Sequence, residues 1–512
     1  MRVDPVSSIV PPKLQIWFDR FAVPLALPVG AAVALAFAPF GLWPLAILCP
    51  AWLFFAWQGA SPRRAAAIGF WFHGGTFLAG TYWLYHSVHT IGAAPIWVAL
   101  LLMLSLAAIM GGYLALLGYA QARLLPKTGA LRWLVGLPAC WVLLEWWRGW
   151  FLSGFPWLSL GYAQIDSPLA GFAPVLGVYG IGLVCALCAG ALIAAVLGSK
   201  HERSIAAIVL VTPWAIGAAL KPVSWTKPVD GPISVAIVQG AIAQDQKWSK
   251  EWSETILARY RQLTDQYLGQ RLIIWPEAAL PDYAHYYTSY LGSLWTDAHA
   301  RGSDVVLGAL HYDQQNRTSY NGVLALSDEV EWYHKRHLVP YGEYFPVPQF
   351  VRDLLGMMNL PNRDFDAGAK DQPALHAAGQ RIGLTICYED GFGAEQLAVL
   401  RDATLLVNVT NDAWFGDSTA APQHLEISRM RALEAGRDLA RAANDGISAL
   451  IAADGSIMTT LPRFKAAVLT GELQPRTGLT PYARIGNWPV IVVCVLAIVL
   501  VVLRRRQSAK VL

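Results

Sequence analysis

Charge is scarce in this chain: Asp, Glu, Lys and Arg together make up 14% of 512 residues, against 55% hydrophobic residues. With a mean hydropathy of +0.38, that excludes an ordinary soluble protein and points to a membrane protein carrying a soluble part. Basic blocks are missing too. The net charge of +4 comes from dispersed residues, so nucleic acid is not an expected partner. Cysteine is rare, with Cys49, Cys140, Cys185, Cys188, Cys387 and Cys494 the full set. Five fall inside apolar runs, and Cys387 alone lies in the polar part of the chain. The C-x-x-C pair Cys185/Cys188 sits in GLVCALCAGALIAAVLG without a polar companion, so it reads as small-residue helix packing and not as a redox or metal site. A short apolar segment followed by a small-residue cleavage site is absent at the N-terminus, and the first apolar segment is expected to stay in the membrane.

Long apolar runs are present instead. Segments long enough to cross roughly 30 Å of hydrocarbon occur at 22–40, 42–58, 65–84, 93–120, 134–147, 171–198, 205–220 and 488–503, which predicts eight transmembrane helices. Lysine and arginine collect in alternate loops: Arg2, Lys13 and Arg20, then Arg63 and Arg64, then Arg123, Lys127 and Arg132, then Lys200 and Arg203, then Arg504, Arg505, Arg506 and Lys510. The other loops hold almost none, Arg148 excepted. Because short cytoplasmic loops retain positive charge, both termini are expected in the cytoplasm. The chain then divides into a membrane domain with seven helices (1–220), a periplasmic domain (221–487), and a last helix with a basic tail (488–512). A lone thiol in the oxidising periplasm calls for a role. Tyr82, Trp83, Tyr85, Trp146, Trp147, Trp150, Phe155 and Trp157 read as an interfacial aromatic belt, the second reading being that some of them line a lateral lipid entrance. His73, His86 and His89 are expected at the interface, and Glu145 and Arg148 could form an ion pair or meet a head group.

From Ile233 onward the pattern changes to short β-like runs, 233–239, 271–277, 304–310, 322–327, 381–387, 404–409 and 447–453, separated by amphipathic segments. Trp252, Ile256, Leu257, Tyr260, Leu263 and Tyr267 recur at helical spacing, so the outer domain is an α/β layered fold. Three runs end in reactive side chains. RLIIWPE presents Glu277 after a proline, EWYHKRHLVPYGEYFP carries Lys335 with Glu343 eight residues on, and RIGLTICYED delivers Cys387 at a turn before the helix-like FGAEQLAVL. A thiol at a strand-to-helix turn is expected to favour the thiolate. Each residue alone is commonplace, but together they supply a nucleophile, a base and a cation facing an oxyanion. His334, His337 and His424 are dispersed and read as structural, and no metal-ligand cluster or cofactor is expected.

The motifs WPE around Glu277, HKRHLVPYGEYFP around Lys335 and CYED around Cys387, in that order, resemble the nitrilase (carbon–nitrogen hydrolase) superfamily. The stretches VQGAIAQDQKW (238–248), NVTNDAWFGDS (408–418) and QHLEISRMRALEAGR (423–437), flanked by membrane spans, resemble its membrane branch, the apolipoprotein N-acyltransferase family. The resemblance implies a periplasmic α-β-β-α sandwich and a Glu277–Lys335–Cys387 triad. In it Cys387 takes an acyl chain from a membrane phospholipid, with phosphatidylethanolamine the donor the resemblance implies, as a thioester. The α-amine of a diacylglyceryl-cysteine apolipoprotein then receives the chain. It further implies that Glu277 is the base, Lys335 meets the oxyanion, Glu343 assists, and Tyr388, Glu389 and Trp248 support or line the site. A monomer in the bacterial inner membrane is expected. The apolar segment VPQFVRDLLGMMNLP (347–361), with Val351, Leu354, Leu355, Met357 and Met358, is core or a membrane-dipping lid. Two other readings use the same residues: a membrane-tethered amidase hydrolysing a small C–N substrate, and a silent scaffold binding lipoproteins.

Overall fold

Residues 12–344 and 364–510 are described by the computed structural model, and they divide into two units. One comprises the chain up to Tyr85, Pro95–Val223 and Ile485 onward; the other comprises His86–Ala94 and Ser224–Arg484. The apolar segment 347–361 lies outside the described residues.

The first unit is helical: α1 (Pro12–Val33), α2 (Leu45–Ala56), α3 (Pro62–Gly80), α4 (Ile96–Leu124), α5 (Leu137–Arg148), α6 (Ala173–Leu197) and α7 (Lys200–Leu220), with the C-terminal helix Trp488–Lys510. Each of the eight expected spans overlaps one of these helices. Among the described residues, four segments are long and apolar enough to cross a membrane: Ile96–Leu124, Pro168–Leu197, Lys200–Leu220 and Trp488–Gln507. Of the others, α2 has 12 residues with Pro50 among them, and α3 opens on Arg63 and Arg64; α1 runs unbroken through Pro24 and Pro28. Helix α5 also has 12 residues, extended backwards by the π-helical turn Leu131–Gly136. Helix α3 packs along α1 and α4 backbone to backbone: a Cβ on Gly75 would lie 2.2 Å from the Leu27 carbonyl oxygen, and one on Gly69 2.5 Å from that of Leu114. Small residues permit this approach where apolar burial gives no driving force.

Several side chains expected at the interface are internal. His73 is buried, its Nδ1 2.8 Å from the Met110 carbonyl oxygen, because α3 lies against α4. Trp83 and Trp157 pack together with ring centroids 5.7 Å apart, and both are buried, whereas Tyr82 and Trp150 are exposed. Glu145 and Arg148, both buried, hold the following loop instead of facing outward. Glu145 Oε1 accepts the Leu160 N–H at 2.9 Å, and Arg148 donates to the Trp157 carbonyl at 2.7 Å and to Ser159 Oγ at 3.0 Å.

The second unit carries β1 (Lys227–Pro228), β2 (Ile233–Gln239), β3 (Leu272–Trp275), β4 (Asp304–Asp313), β5 (Thr318–Leu326), β6 (Val330–His334), β7 (Leu375–Ala377), β8 (Gln380–Ile386), β9 (Leu405–Thr410), β10 (Leu439–Ala443), β11 (Ala449–Ile451), β12 (Ile457–Thr460), β13 (Ala467–Leu473) and β14 (Arg476–Thr477). Its main helices are α8 (Ser253–Asp265), α9 (Thr288–His299) and α10 (Ala420–Ala435). Two six-stranded sheets form, in orders β13-β2-β3-β4-β5-β6 and β12-β11-β10-β9-β8-β7. The centre of each is parallel, β2/β3/β4 in one and β8/β9/β10 in the other, with antiparallel edges.

Alternation along the strands builds the layers. Val235, Ile237, Leu272 and Ile274 meet Ile382, Leu384, Ile386, Leu405 and Val407 in one core between the sheets. Ala236, Val238, Ile273 and Trp275 point the other way onto Ile256 and Tyr260 of α8 and Leu291 and Leu294 of α9. Leu406, Leu439 and Ile451 of the second sheet meet Leu425 and Ala432 of α10. The result is four layers, α-β-β-α. Strands buried on both faces read as continuous apolar runs, which is how β2, β3, β8 and β9 stand out in the sequence.

Candidate active site

Parallel strands place reactive residues where they end, at the carboxyl edge of a sheet. Glu277 follows β3, Cys387 follows β8, Asn411 and Asp412 follow β9, and Lys335 follows β6 at the sheet margin. These ends converge within the second unit.

Lys335 is 1% exposed, and its ammonium lies 2.8 Å from Glu343 Oε1 and 3.3 Å from Glu277 Oε1. Burial alone would pull this lysine down, but Glu343, Glu277 and Cys387 together hold it well above its ordinary value. It therefore stays cationic. Asn321, on β5, ties the two carboxylates together, its Nδ2 donating to Glu277 Oε1 at 2.7 Å and to Glu343 Oε1 at 2.9 Å. Glu277 Oε2 accepts the Asn411 N–H at 2.9 Å, and Glu343 Oε2 accepts the Val339 N–H at 2.8 Å. Every oxygen of both carboxylates is thus aimed by a donor.

Cys387 adopts φ 50°, the left-handed region that costs a non-glycine residue about 1–2 kcal/mol. The surroundings hold it there. Glu389 accepts backbone N–H groups of Ile386 at 2.8 Å, Arg336 at 2.6 Å and His337 at 3.2 Å, and the Tyr333 hydroxyl at 3.0 Å. That carboxylate binds the Cys387 elbow to the Lys335 loop. On the other side, His424 bridges the Cys387 carbonyl, 3.0 Å from Nε2, and Asp412 Oδ1, 3.1 Å from Nδ1. Strain concentrated at a reactive residue and held from both sides is a signature of functional sites.

The thiol departs from the expectation of a stabilised thiolate. Burial and then the Glu277 carboxylate push Cys387 well above the ordinary thiol value, and Lys335 opposes them only in part. The turn offers no counterweight. FGAEQLAVL does not form a regular helix: the elbow is a 3-10 turn, Cys387–Gly391, followed by further short turns at Gly393–Gln396 and Val399–Arg401. Among the described residues no long helix follows the elbow to favour the thiolate.

Beneath the elbow lies a buried polar layer that strand patterning did not reveal. Arg441, on β10, is fully buried and donates to Asn408 Oδ1 at 2.6 Å, Ser428 Oγ at 3.0 Å and Asp412 Oδ2 at 3.0 Å. Asp390 accepts from Thr385 at 2.7 Å and from Ser428. Burial would raise Asp412, but Arg441 and His424 reverse this and hold it well below the carboxylate range. Among the other expected site residues, Tyr388 packs its ring against Phe392 and His337, centroids 5.1 and 5.8 Å away. Trp248 is exposed and stacks near Lys247, whose Nζ lies 5.7 Å from the ring centroid. Asn321, Lys247, Asn411 and Arg441 join this region without having been singled out from sequence. Asn411 and Asp412 do lie in the quoted NVTNDAWFGDS run, and Lys247 lies in QDQKW.

Gly308 on β4 makes room for Glu277. A Cβ there would lie 2.4 Å from the Pro276 carbonyl oxygen and 2.6 Å from Glu277 Cα. Gly308→Ala is expected to displace the carboxylate and lower turnover about 10²-fold, the scale of a misplacement near 1 Å. Steady-state kinetics on a variant with a retained unfolding transition checks this.

Two families match the chain. Residues 29–191 match the apolipoprotein N-acyltransferase N-terminal domain, and residues 234–482 match carbon-nitrogen hydrolase. The apolipoprotein N-acyltransferase of Methylococcus capsulatus is 41% identical over 493 residues, covering 95% of this chain and 97% of the relative. Those of Pseudomonas putida and Azotobacter vinelandii are each 40% identical, covering 94% and 96% of this chain and 97% of each relative.

Proposed function

The chain belongs to the apolipoprotein N-acyltransferase family, and from that premise we propose that it moves an acyl chain from a membrane phospholipid to the N-terminal amine of an apolipoprotein through a thioester on Cys387. The observation that carries this reading is the buried Glu277–Lys335–Glu343 cluster, electrostatically coupled to the Cys387 thiol.

In the first half-reaction Glu277 takes the proton from the Cys387 sulfur as the sulfur attacks the ester carbonyl carbon. Because burial and Glu277 hold the thiol above its ordinary value, the step needs Glu277 as a base. The carbonyl π pair moves onto oxygen, where the Lys335 ammonium meets it. Collapse breaks the ester C–O bond, and the leaving lysophospholipid oxygen takes the proton back from Glu277. In the second half-reaction the amine of the diacylglyceryl-cysteine attacks the thioester, and the Cys387 thiol is restored. Glu343 and Asn321 fix Glu277 and Lys335 against each other, and the Glu389 and His424 contacts keep the elbow rigid.

The membrane setting supports a lipid donor, with phosphatidylethanolamine as the proposed source and both substrates held in the same bilayer as the enzyme. All eight helices of the first unit are proposed to cross the inner membrane. The alternation of lysine and arginine between loops supports cytoplasmic termini and a periplasmic catalytic unit bounded near residues 221 and 487; a monomer in the inner membrane is proposed alongside. Vesicles of phosphatidylethanolamine supplied with a synthetic diacylglyceryl-cysteine lipopeptide test the reading. The expected product is the N-acylated lipopeptide with one lysophospholipid released per turnover. Release of free fatty acid with an unmodified lipopeptide would favour a hydrolase instead.

A further inference from the structure

The acyl-transfer reading leaves one proton without a destination. A free α-amine has a pKa of about 7.7–8.0, so the acceptor arrives at neutral pH mainly as an ammonium. Forming the amide removes two protons from that nitrogen. Glu277 carries one to the Cys387 sulfur as the thioester breaks, and the other needs a second base beside the thioester.

Lys247 is held against the main chain of Glu277, the base of the first half-reaction, and has no role in that step. It is 3% exposed, its Nζ donates to the Glu277 carbonyl oxygen at 3.0 Å, and it is coupled to the charges of Glu277, Asp445 and Cys387. Resting on the acyl-transfer reading, we propose that Lys247 is the base that receives the first proton of the acceptor's ammonium, with Asp445 behind it as the exit for that proton.

A neutral Lys247 amine takes a proton from the ammonium, leaving a free amine whose lone pair attacks the thioester carbonyl. The carbonyl π pair goes to oxygen beside Lys335, and the second N–H proton passes to Glu277. Collapse breaks the C–S bond, the sulfur takes that proton, and Lys247 passes its own proton through Asp445 to solvent. Burial pulls the Lys247 ammonium down to about 8, although Glu277, Asp445 and Cys387 oppose it, which matches it to an α-amine. Asp445 is 9% exposed, and its Oδ1 has no hydrogen-bond partner among the described residues. Burial and then Asp412 push Asp445 up to about 7, while Lys247 and Arg463 oppose this.

Arginine separates charge from proton transfer, because its guanidinium keeps the cation and cannot act as a base. The full-length enzyme in phosphatidylethanolamine vesicles is loaded to the thioester, then discharged with the diacylglyceryl-cysteine lipopeptide or with hydroxylamine, a nucleophile neutral at pH 7. Lys247→Arg is expected to slow lipopeptide discharge about 10²-fold more than thioester formation. That deficit should shrink as pH rises past the amine's own ionisation, and discharge by hydroxylamine should show none of it. Equal slowing of both half-reactions, or a deficit shared by hydroxylamine, would reduce Lys247 to a structural cation and overturn the proposal. Should the arginine variant fail to fold, Asp445→Asn reads the same point. Losing that carboxylate lowers Lys247 further, so the acid limb of the discharge profile moves to lower pH, and an unmoved limb overturns the proposal. A wild-type enzyme that forms no thioester would instead refute the acyl-transfer reading itself, and this inference with it.

Discussion

Lys335→Met is expected to lower N-acylation by about 10³-fold, the upper end of what one oxyanion-facing donor contributes, and to destabilise the second unit by about 3–5 kcal/mol. Both effects have one origin. The ammonium sits between Glu277 and Glu343 with only 1% of its side chain exposed, so its removal leaves two buried carboxylates joined by a single Asn321 amide. The two carboxylates then repel each other, and no cation remains to hold Glu277 in place or to meet the oxyanion. Lys335→Arg is not a conservative control, since a planar fork does not fit a site built for a point charge. Turnover measured alongside chemical unfolding separates the two effects. A variant with wild-type turnover would remove Lys335 from the mechanism.

Arg441→Met is expected to be the most destabilising single change outside the reacting groups, by about 3–5 kcal/mol. Arg441 and Asp412 are both fully buried, 3.0 Å apart, and Asp390 lies 3.8 Å from the same guanidinium. Methionine fills much of the volume but leaves two carboxylates without a cation. The loss depends on pH in a definite direction. In the wild type the depressed Asp412 contributes stability above its unfolded value near 3.9, and that contribution fades as pH falls toward the folded value. Without Arg441 the folded Asp412 binds a proton more readily, so the variant's deficit is largest at neutral pH and narrows in acid. Denaturant unfolding at pH 7 and pH 4 checks the sign, and a deficit equal at both would contradict it. Because Asp412 also holds His424 on the Cys387 carbonyl, activity should fall further than the unfolded fraction explains.

Legibility in the sequence followed the physics of burial. Strands β2, β8 and β9 were visible because both faces are covered, which forces an unbroken apolar run; ISVAIVQ matches β2 from Ile233 to Gln239. Strand β10 was missed for the opposite reason: LARAA carries an arginine, and only the three-dimensional neighbours Asn408, Ser428 and Asp412 make a buried guanidinium acceptable. Edge strands β6 and β13 mix exposed and buried positions and β12 has no buried one, so they lack a clean pattern. Glu277, Lys335 and Cys387 were legible because each follows a recognisable run. Asn321 and Lys247 were not, since an amide within a strand and a lysine beside a tryptophan are ordinary until their partners are known. The protonation of the thiol could not be read either, because it depends on depth beneath the surface and on the missing helix after Gly391.

The most direct test of the acyl-enzyme account is the mass of the intact protein after incubation with phosphatidylethanolamine vesicles. One added acyl chain is expected on the wild type, absent from Cys387→Ala and released as an amide when a diacylglyceryl-cysteine lipopeptide with a free amine is supplied. An acyl adduct that persists in Cys387→Ala, or one that the lipopeptide amine leaves in place, would contradict it.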